Sequence, residues 1–366
     1  DNNSLLQAGL QPPAGIVSQK FTNVCVPHTH KAKGASGMEQ RLWMILQLFG
    51  GAALFLYSMD TLTDALQQAA GDTLRQALAR LTAHPLAGVL TGAAVTAVVQ
   101  SSSAVTVLVL GLVGAGLLTL QRAVPVVFGA NIGTTVTAQL LAFRLEDARY
   151  LLLVAGLLLW FAGRGRLHAA GQALFAFGLL FEGIAVMAEA MEPLAAGPVF
   201  RQWMARVRHR PGLGLLAGLG MTLAVQSSSA TIAVLQQAAA RPGPDGGCLL
   251  GLAGAIPVLL GDNIGTTVTA VLASVGQSRD AKRLAAAHAL FNLSGAAMCW
   301  LLLPQFTALV RLVSPHGPES AVLARQIANA HTLFNLGCTV LWLPLTPCMV
   351  RIVCILLPEK HAPELK

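Results

Sequence analysis

One uncharged polar phrase occurs twice in otherwise apolar sequence, and it limits the fold more than any other feature. Gln100-Ser101-Ser102-Ser103-Ala104 lies between Val95-Thr96-Ala97 and Val105-Thr106-Val107, and Gln226-Ser227-Ser228-Ser229-Ala230 follows at an offset of 126 residues. An amide and three hydroxyls in hydrocarbon-compatible sequence are costly unless each finds a partner, because a bilayer core holds no water to satisfy them. Two such clusters, one in each half, point to a shared polar site.

The bilayer itself follows from composition. Only 11% of the chain is charged and its mean hydropathy is +0.63, whereas a soluble domain carries about 25% charge. There is too little polar surface to cover a water-exposed globule, so the chain reads as a multi-pass membrane protein. The net charge of +8 sits mostly in Lys and Arg between apolar segments, as at 201–210 and 279–283. That pattern fits loops at a membrane surface and excludes nucleic acid as a partner. The cysteines (Cys25, Cys248, Cys299, Cys338, Cys348, Cys354) form no CxxC pair and read as small buried hydrophobes. Residues 1–37 are polar and hold no apolar span, as expected of a disordered tail, a leader or an added non-native segment.

Along the chain, Leu42 to Met59 predicts a first membrane helix ending at Asp60, and Asp60 to Leu81 an amphipathic helix in the interface. Pro85 to Leu118 is apolar but interrupted halfway by the first cluster. Each half has about 15 residues, short of the roughly 20 needed to span, so the segment predicts a re-entrant helical hairpin with its polar tip inside. Leu120 to Phe143 spans but contains Gly129-Ala130-Asn131-Ile132-Gly133-Thr134-Thr135, which predicts an unwound, discontinuous helix. Tyr150 to Ala162 predicts a third helix.

The pattern then restarts. Leu180-Phe181 matches Leu54-Phe55, Met191 to Arg210 repeats the interfacial helix, and Pro211-Gly212-Leu213-Gly214 repeats Pro85-Leu86-Ala87-Gly88. Between Arg241 and Gly247 an insertion lengthens the offset, seen in Gly261-Asp262-Asn263-Ile264-Gly265-Thr266-Thr267 against 129–135. One gap in a turn-forming loop between otherwise matching halves indicates internal duplication. Three crossings between the halves would invert the second, as in many secondary transporters. The expected fold class is therefore all-α: two inverted repeats at 38–168 and 169–303, each with a re-entrant hairpin and a discontinuous transmembrane helix. A C-terminal helix and tail occupy 304–366. Helices are expected at Leu284 to Leu303 and Ala321 to Leu343, which share His288-Ala289-Leu290-Phe291-Asn292 and His331-Thr332-Leu333-Phe334-Asn335. These His-Asn phrases read as helix contacts in preference to metal ligands.

Chemically, hairpin tips present hydroxyls and the unpaired N–H groups of helix N-termini, which suit a small oxyanion. Neither cluster holds Arg or Lys, so cations would balance the charge. Na+ prefers oxygen, which Ser, Thr and Asn supply, and Asp262 adds a fixed negative charge where the first repeat has Ala130.

The duplicated QSSSA with GANIGTT and GDNIGTT resembles the type II sodium-phosphate cotransporters and their bacterial relatives, over about residues 42 to 345. The resemblance implies that Gln100, Ser101, Ser102, Ser103, Gln226, Ser227, Ser228 and Ser229 surround phosphate. It also implies that Asn131, Thr134, Thr135, Asn263, Thr266 and Thr267 hold coupling Na+ beside it; Asp262 and Glu182 join them as intramembrane carboxylates. The expected function is sodium-coupled symport of inorganic phosphate by alternating access, in a plasma (inner) membrane, with no cofactor and with a homo-oligomer left open. Symport of another oxyanion, coupling to H+, and a non-transporting phosphate sensor are the alternatives. A serine hydrolase is excluded, because no GxSxG elbow is present and no His lies near a cluster.

Overall fold

The computed structural model of the chain describes residues 37–70, 84–142, 149–242 and 247–359. All of their regular structure is helical. Among the described residues, five helices contain segments long and apolar enough to cross a membrane: Leu42–Leu62, Leu120–Leu141, Arg166–Met187, Gly251–Ala273 and Arg279–Leu301. All but the last residue of the expected tail at 1–37, the second part of the first interfacial helix (71–81) and most of the insertion (243–246) lie outside the described residues.

The first helix, α1 (Gly37–Ala70), does not stop at Asp60. Neither Gly nor Pro falls between Asp60 and Ala70, so nothing breaks the backbone; Asp60 and Asp64 simply sit on the exposed face. Next come two short apolar helices, α2 (Pro85–Val99) and α3 (Ser102–Gly114), then a long one, α4 (Leu120–Leu141). The third predicted span is α5 (Arg149–Ala162), whose 14 residues reach only about 21 Å. It pairs lengthwise with α6 (Arg166–Ala196). Glycine permits that pairing: a Cβ on Gly156 would lie 2.3 Å from the Phe175 nitrogen, and one on Gly171 2.2 Å from the Trp160 nitrogen.

A second interfacial-type helix, α7 (Pro198–His209), begins after Gly197 and carries Arg206 and Arg208 in its last turn, cations placed where the helix C-terminus favours them. The repeat of the short-short-long unit follows as α8 (Pro211–Val225), α9 (Ser228–Ala239) and α10 (Gly251–Ala273). The chain closes with α11 (Arg279–Leu301), α12 (Leu303–Leu312), α13 (Glu319–Trp342) and α14 (Thr346–Leu356). The last two pass as one span by composition but are bent by 85°.

The long helices α4 and α10 contradict the expectation of a broken span. Both run uninterrupted through 129–135 and 261–267. The glycines there serve approach between helices, not unwinding. A Cβ on Gly129 would lie 1.9 Å from the Val89 carbonyl oxygen, and one on Gly261 1.9 Å from that of Leu215. From the other side, Gly92 faces the Val126 carbonyl at 2.0 Å and Gly218 that of Val258 at 1.9 Å. The polar residues of the phrase satisfy themselves along the helix: Asn131 Nδ2 donates to Val127 O at 2.9 Å and Asn263 Nδ2 to Leu259 O at 2.8 Å. Thr134, Thr135, Thr266 and Thr267 likewise donate to carbonyls three or four residues back, which keeps polar side chains compatible with an intact helix.

One amide joins helices from different parts of the chain. Gln236 of α9 donates from Nε2 to Ala138 O of α4 at 3.2 Å and to Ala324 O of α13 at 3.1 Å.

Candidate functional site

The two serine clusters fold alike. Gln100 and Gln226 end α2 and α8 at φ 57° and 56°, and they are the two non-glycine residues with positive φ among the described residues. A left-handed glutamine costs roughly 1–2 kcal/mol, so the surroundings must hold it. Nε2 of Gln100 donates to Ala97 O, and Oε1 accepts from Thr137 Oγ1 on α4. In the second copy Gln226 Nε2 donates to Leu223 O at 2.8 Å and Oε1 accepts from Thr269 Oγ1 at 2.9 Å. Each glutamine is a strut between the end of a short helix and the long helix that follows it. Thr137 and Thr269 escaped the sequence reading, although the repeated phrase continues as Thr-Val-Thr-Ala and marks them.

After each strut, Ser101 and Ser227 cap the next helix, accepting from Ala104 N at 3.2 Å and Ala230 N at 3.3 Å. Capping uses an oxygen lone pair and leaves the hydroxyl hydrogen to donate elsewhere. The amides of Ser102, Ser103, Ser228 and Ser229 belong to first turns, which have no carbonyl four residues back. Ser102 and Ser229 are buried, Ser103 and Ser228 half-buried. Each tip is thus rich in donors. Among the described residues, no hydrogen bond joins one serine cluster to the other.

The two copies differ in burial and charge. Gln100 is buried and Gln226 exposed, so removing the strut partner has unequal consequences. Thr137→Val is expected to cost about 1–3 kcal/mol by stranding the Gln100 oxygen, and Thr269→Val less than about 1, as read from thermal unfolding of the purified variants in detergent. In the second copy Asp262 is fully buried, with Oδ1 accepting from Thr222 Oγ1 at 2.6 Å and Oδ2 unpartnered. Thr222 also lies 3.3 Å from Thr231. In the first copy Ala130 stands in place of Asp262, and the hydroxyls of Thr96 and Thr106 have no partner.

Glu182 does not join these groups. Its carboxylate lies 2.8 Å from Arg149 Nε, an ion pair between α5 and α6. Asn131 and Asn263 instead meet the His-Asn phrases: His288 Nε2 lies 3.2 Å from Asn131 Oδ1, and Asn335 Nδ2 3.4 Å from Asn263 Oδ1.

The profile of the family described as Na+/Pi-cotransporter matches residues 54–189 and again 183–314. The chain belongs to the Na+/Pi-cotransporter family. Two successive matches agree with the internal duplication, and membership makes this a multi-pass protein of a transporter family and not an enzyme. Among the family's relatives, "Uncharacterized protein YqeW" of Bacillus subtilis is 34% identical over 84% of this chain and 96% of that protein. "Putative inorganic phosphate export protein YjbB" of Escherichia coli is 28% identical over 69% of this chain but 46% of its own length. The human "Sodium-dependent phosphate transport protein 2B" is 36% identical over 28% of this chain and 15% of its own length. No solved structure matches the chain.

Proposed function

We propose that this Na+/Pi-cotransporter family member carries out sodium-coupled symport of inorganic phosphate by alternating access. The observation that carries the reading is the pair of identical tips, each a left-handed glutamine followed by a serine-capped helix start, one in each copy of the family domain. Phosphate needs donors, and hydroxyls with first-turn amides are what these tips offer. The names of both YjbB and the human protein 2B specify phosphate, which supports phosphate over other oxyanions.

In this reading α2–α3 and α8–α9 are re-entrant. Helices of 12–15 residues reach at most about 22 Å, short of a hydrocarbon core of about 30 Å. The second repeat is upside down relative to the first only if α5 crosses together with α1 and α4, and its 14 residues are as short as those of the paired helices. Phosphate sits between Ser101, Ser102, Ser103 and Ser227, Ser228, Ser229, with the remaining Nε2 hydrogens of Gln100 and Gln226 as further donors. Na+ takes the oxygens of Asn131, Thr134, Thr135, Asn263, Thr266 and Thr267, and the free Oδ2 of Asp262. Phosphate bridging the tips would supply the link between clusters that the hydrogen bonds do not make, and its release would let them part.

Purified protein in liposomes is expected to accumulate radiolabelled phosphate above equilibrium under an inward Na+ gradient and not under an equal K+ gradient. Accumulation driven equally by K+, or by a pH gradient without Na+, would remove sodium coupling. Phosphate binding without accumulation in any gradient would leave a sensor in its place.

A further inference from the structure

The second duplicated phrase, His288 to Asn292 and His331 to Asn335, is unexplained by the proposed transport site. Its histidine and asparagine side chains are almost completely buried, with the two asparagines fully so. Four atoms among them have no partner: His288 Nδ1, Asn292 Oδ1, His331 Nδ1 and Asn335 Oδ1.

All of the unpartnered asparagine atoms are acceptors. Asn292 Nδ2 donates to His288 O at 3.2 Å and Asn335 Nδ2 to His331 O at 3.0 Å, which turns each amide oxygen away from its own backbone. Asn131 Nδ2 is engaged with Val127 O, so it is Asn131 Oδ1 that faces His288 Nε2. That oxygen can only accept, so Nε2 carries the hydrogen and His288 Nδ1 is left as a bare acceptor. One turn apart on α11, then, a ring nitrogen and an amide oxygen both lack a donor. On α13 His331 Nδ1 and Asn335 Oδ1 are likewise unpartnered, but here it is the asparagine that reaches the long helix: Asn335 Nδ2 donates to Asn263 Oδ1 at 3.4 Å.

Buried acceptors that occur in the same pattern twice call for an occupant. The occupant must bring positive charge or donor hydrogens. Phosphate is excluded, since it needs donors, and the tips supply those. A hard cation suits amide oxygens. The stacked rings of Phe128 and Phe291, with centroids 4.8 Å apart, add apolar packing between α4 and α11 next to the first centre.

We propose that Asn292 and Asn335 are sodium ligands: the Asn292 oxygen acts with that of Asn131 between α4 and α11, and the Asn335 oxygen with that of Asn263 between α10 and α13. His288 is a positioning residue that fixes the Asn131 amide. Asn131 Oδ1 keeps a second lone pair while accepting from His288, so positioning and ligation are compatible. This rests on the sodium-coupled reading above and extends it by placing the cations against α11 and α13.

The test is equilibrium binding of radioactive Na+ to the purified full chain in detergent, together with the Na+ dependence of phosphate uptake in liposomes. Asn292→Ala and Asn335→Ala are each expected to raise the half-saturating Na+ concentration at least tenfold, with the phosphate KM at saturating Na+ changed less than twofold. Asn292→Asp keeps an oxygen in place and adds charge, so it is expected to bind Na+ at least as tightly as the unaltered protein, a result that misfolding cannot imitate. His288→Gln is expected to bind Na+ more tightly than His288→Ala. If the alanine variants retain the original Na+ dependence, or Asn292→Asp is as weak as Asn292→Ala, ordered water alone fills the centres and the assignment falls. If the unaltered protein binds no Na+ at all, the underlying sodium reading fails with it.

Discussion

Changing Ser102 and Ser228 together to alanine is expected to lower sodium-driven phosphate uptake by two orders of magnitude or more without unfolding the protein. Hydrogen bonds to a charged group contribute about 1.5–3 kcal/mol each. Two removed from one anion therefore amount to about 3–6 kcal/mol, a factor of roughly 10²–10⁴. Neither hydroxyl holds the fold together, because the caps belong to Ser101 and Ser227. Ser101→Ala with Ser227→Ala, which also removes hydroxyls placed at phosphate, is expected to lower thermal stability as well as uptake, because each loses a cap worth about 1 kcal/mol. Initial uptake rates and melting in detergent distinguish the pairs. Uptake within threefold of normal in Ser102→Ala/Ser228→Ala would take phosphate away from the tips.

The largest structural effect is expected at the crossings of α2 with α4 and of α8 with α10. Gly129→Ala and Gly218→Ala each drive a methyl group to within 1.9 Å of a carbonyl oxygen, a distance the backbone must relieve by separating the helices. Overpacking costs about 1–3 kcal/mol where side chains can yield, and here the obstacle is backbone, so loss of at least about 3 kcal/mol, or of the folded protein altogether, is expected. Gly111→Ala and Gly220→Ala are the controls. Both sit on helices with nothing within 4 Å, and Ala is the better helix former, so their melting temperatures are expected to hold or rise. Equal behaviour of all four variants would mean that the crossings are looser than drawn.

Much of this was legible from spacing alone. The duplication, the short helices on either side of each serine cluster and the membrane setting follow from repeated motifs and helix lengths. The phrases at 129–135 and 261–267 were harder, because Gly, Asn and Thr in an apolar span fit two physical situations. Glycine loosens a helix when nothing packs on it, and lets another backbone touch it when something does. Sequence does not reveal the neighbour; here it is Val89 for Gly129 and Leu215 for Gly261. Glu182 was ambiguous for a similar reason, its partner Arg149 lying 33 positions away on another helix. Asp262 was recognisable as exceptional from its identity alone, since a carboxylate in the middle of a span has no neutral explanation. Its bond to Thr222, 40 positions away, needed the folded chain.

Gln236 has a mechanical consequence. Both hydrogens of its amide are taken by carbonyls on different helices, Ala138 of α4 and Ala324 of α13. An arm fastened at two points to two other bodies cannot swing as a free lever. Whatever displaces α9 must drag the end of α4 and the start of α13, or break both bonds at once in an apolar setting. The halves of the duplication are thus geared together, and motion in the second copy is delivered directly to the helix that braces the first copy's glutamine.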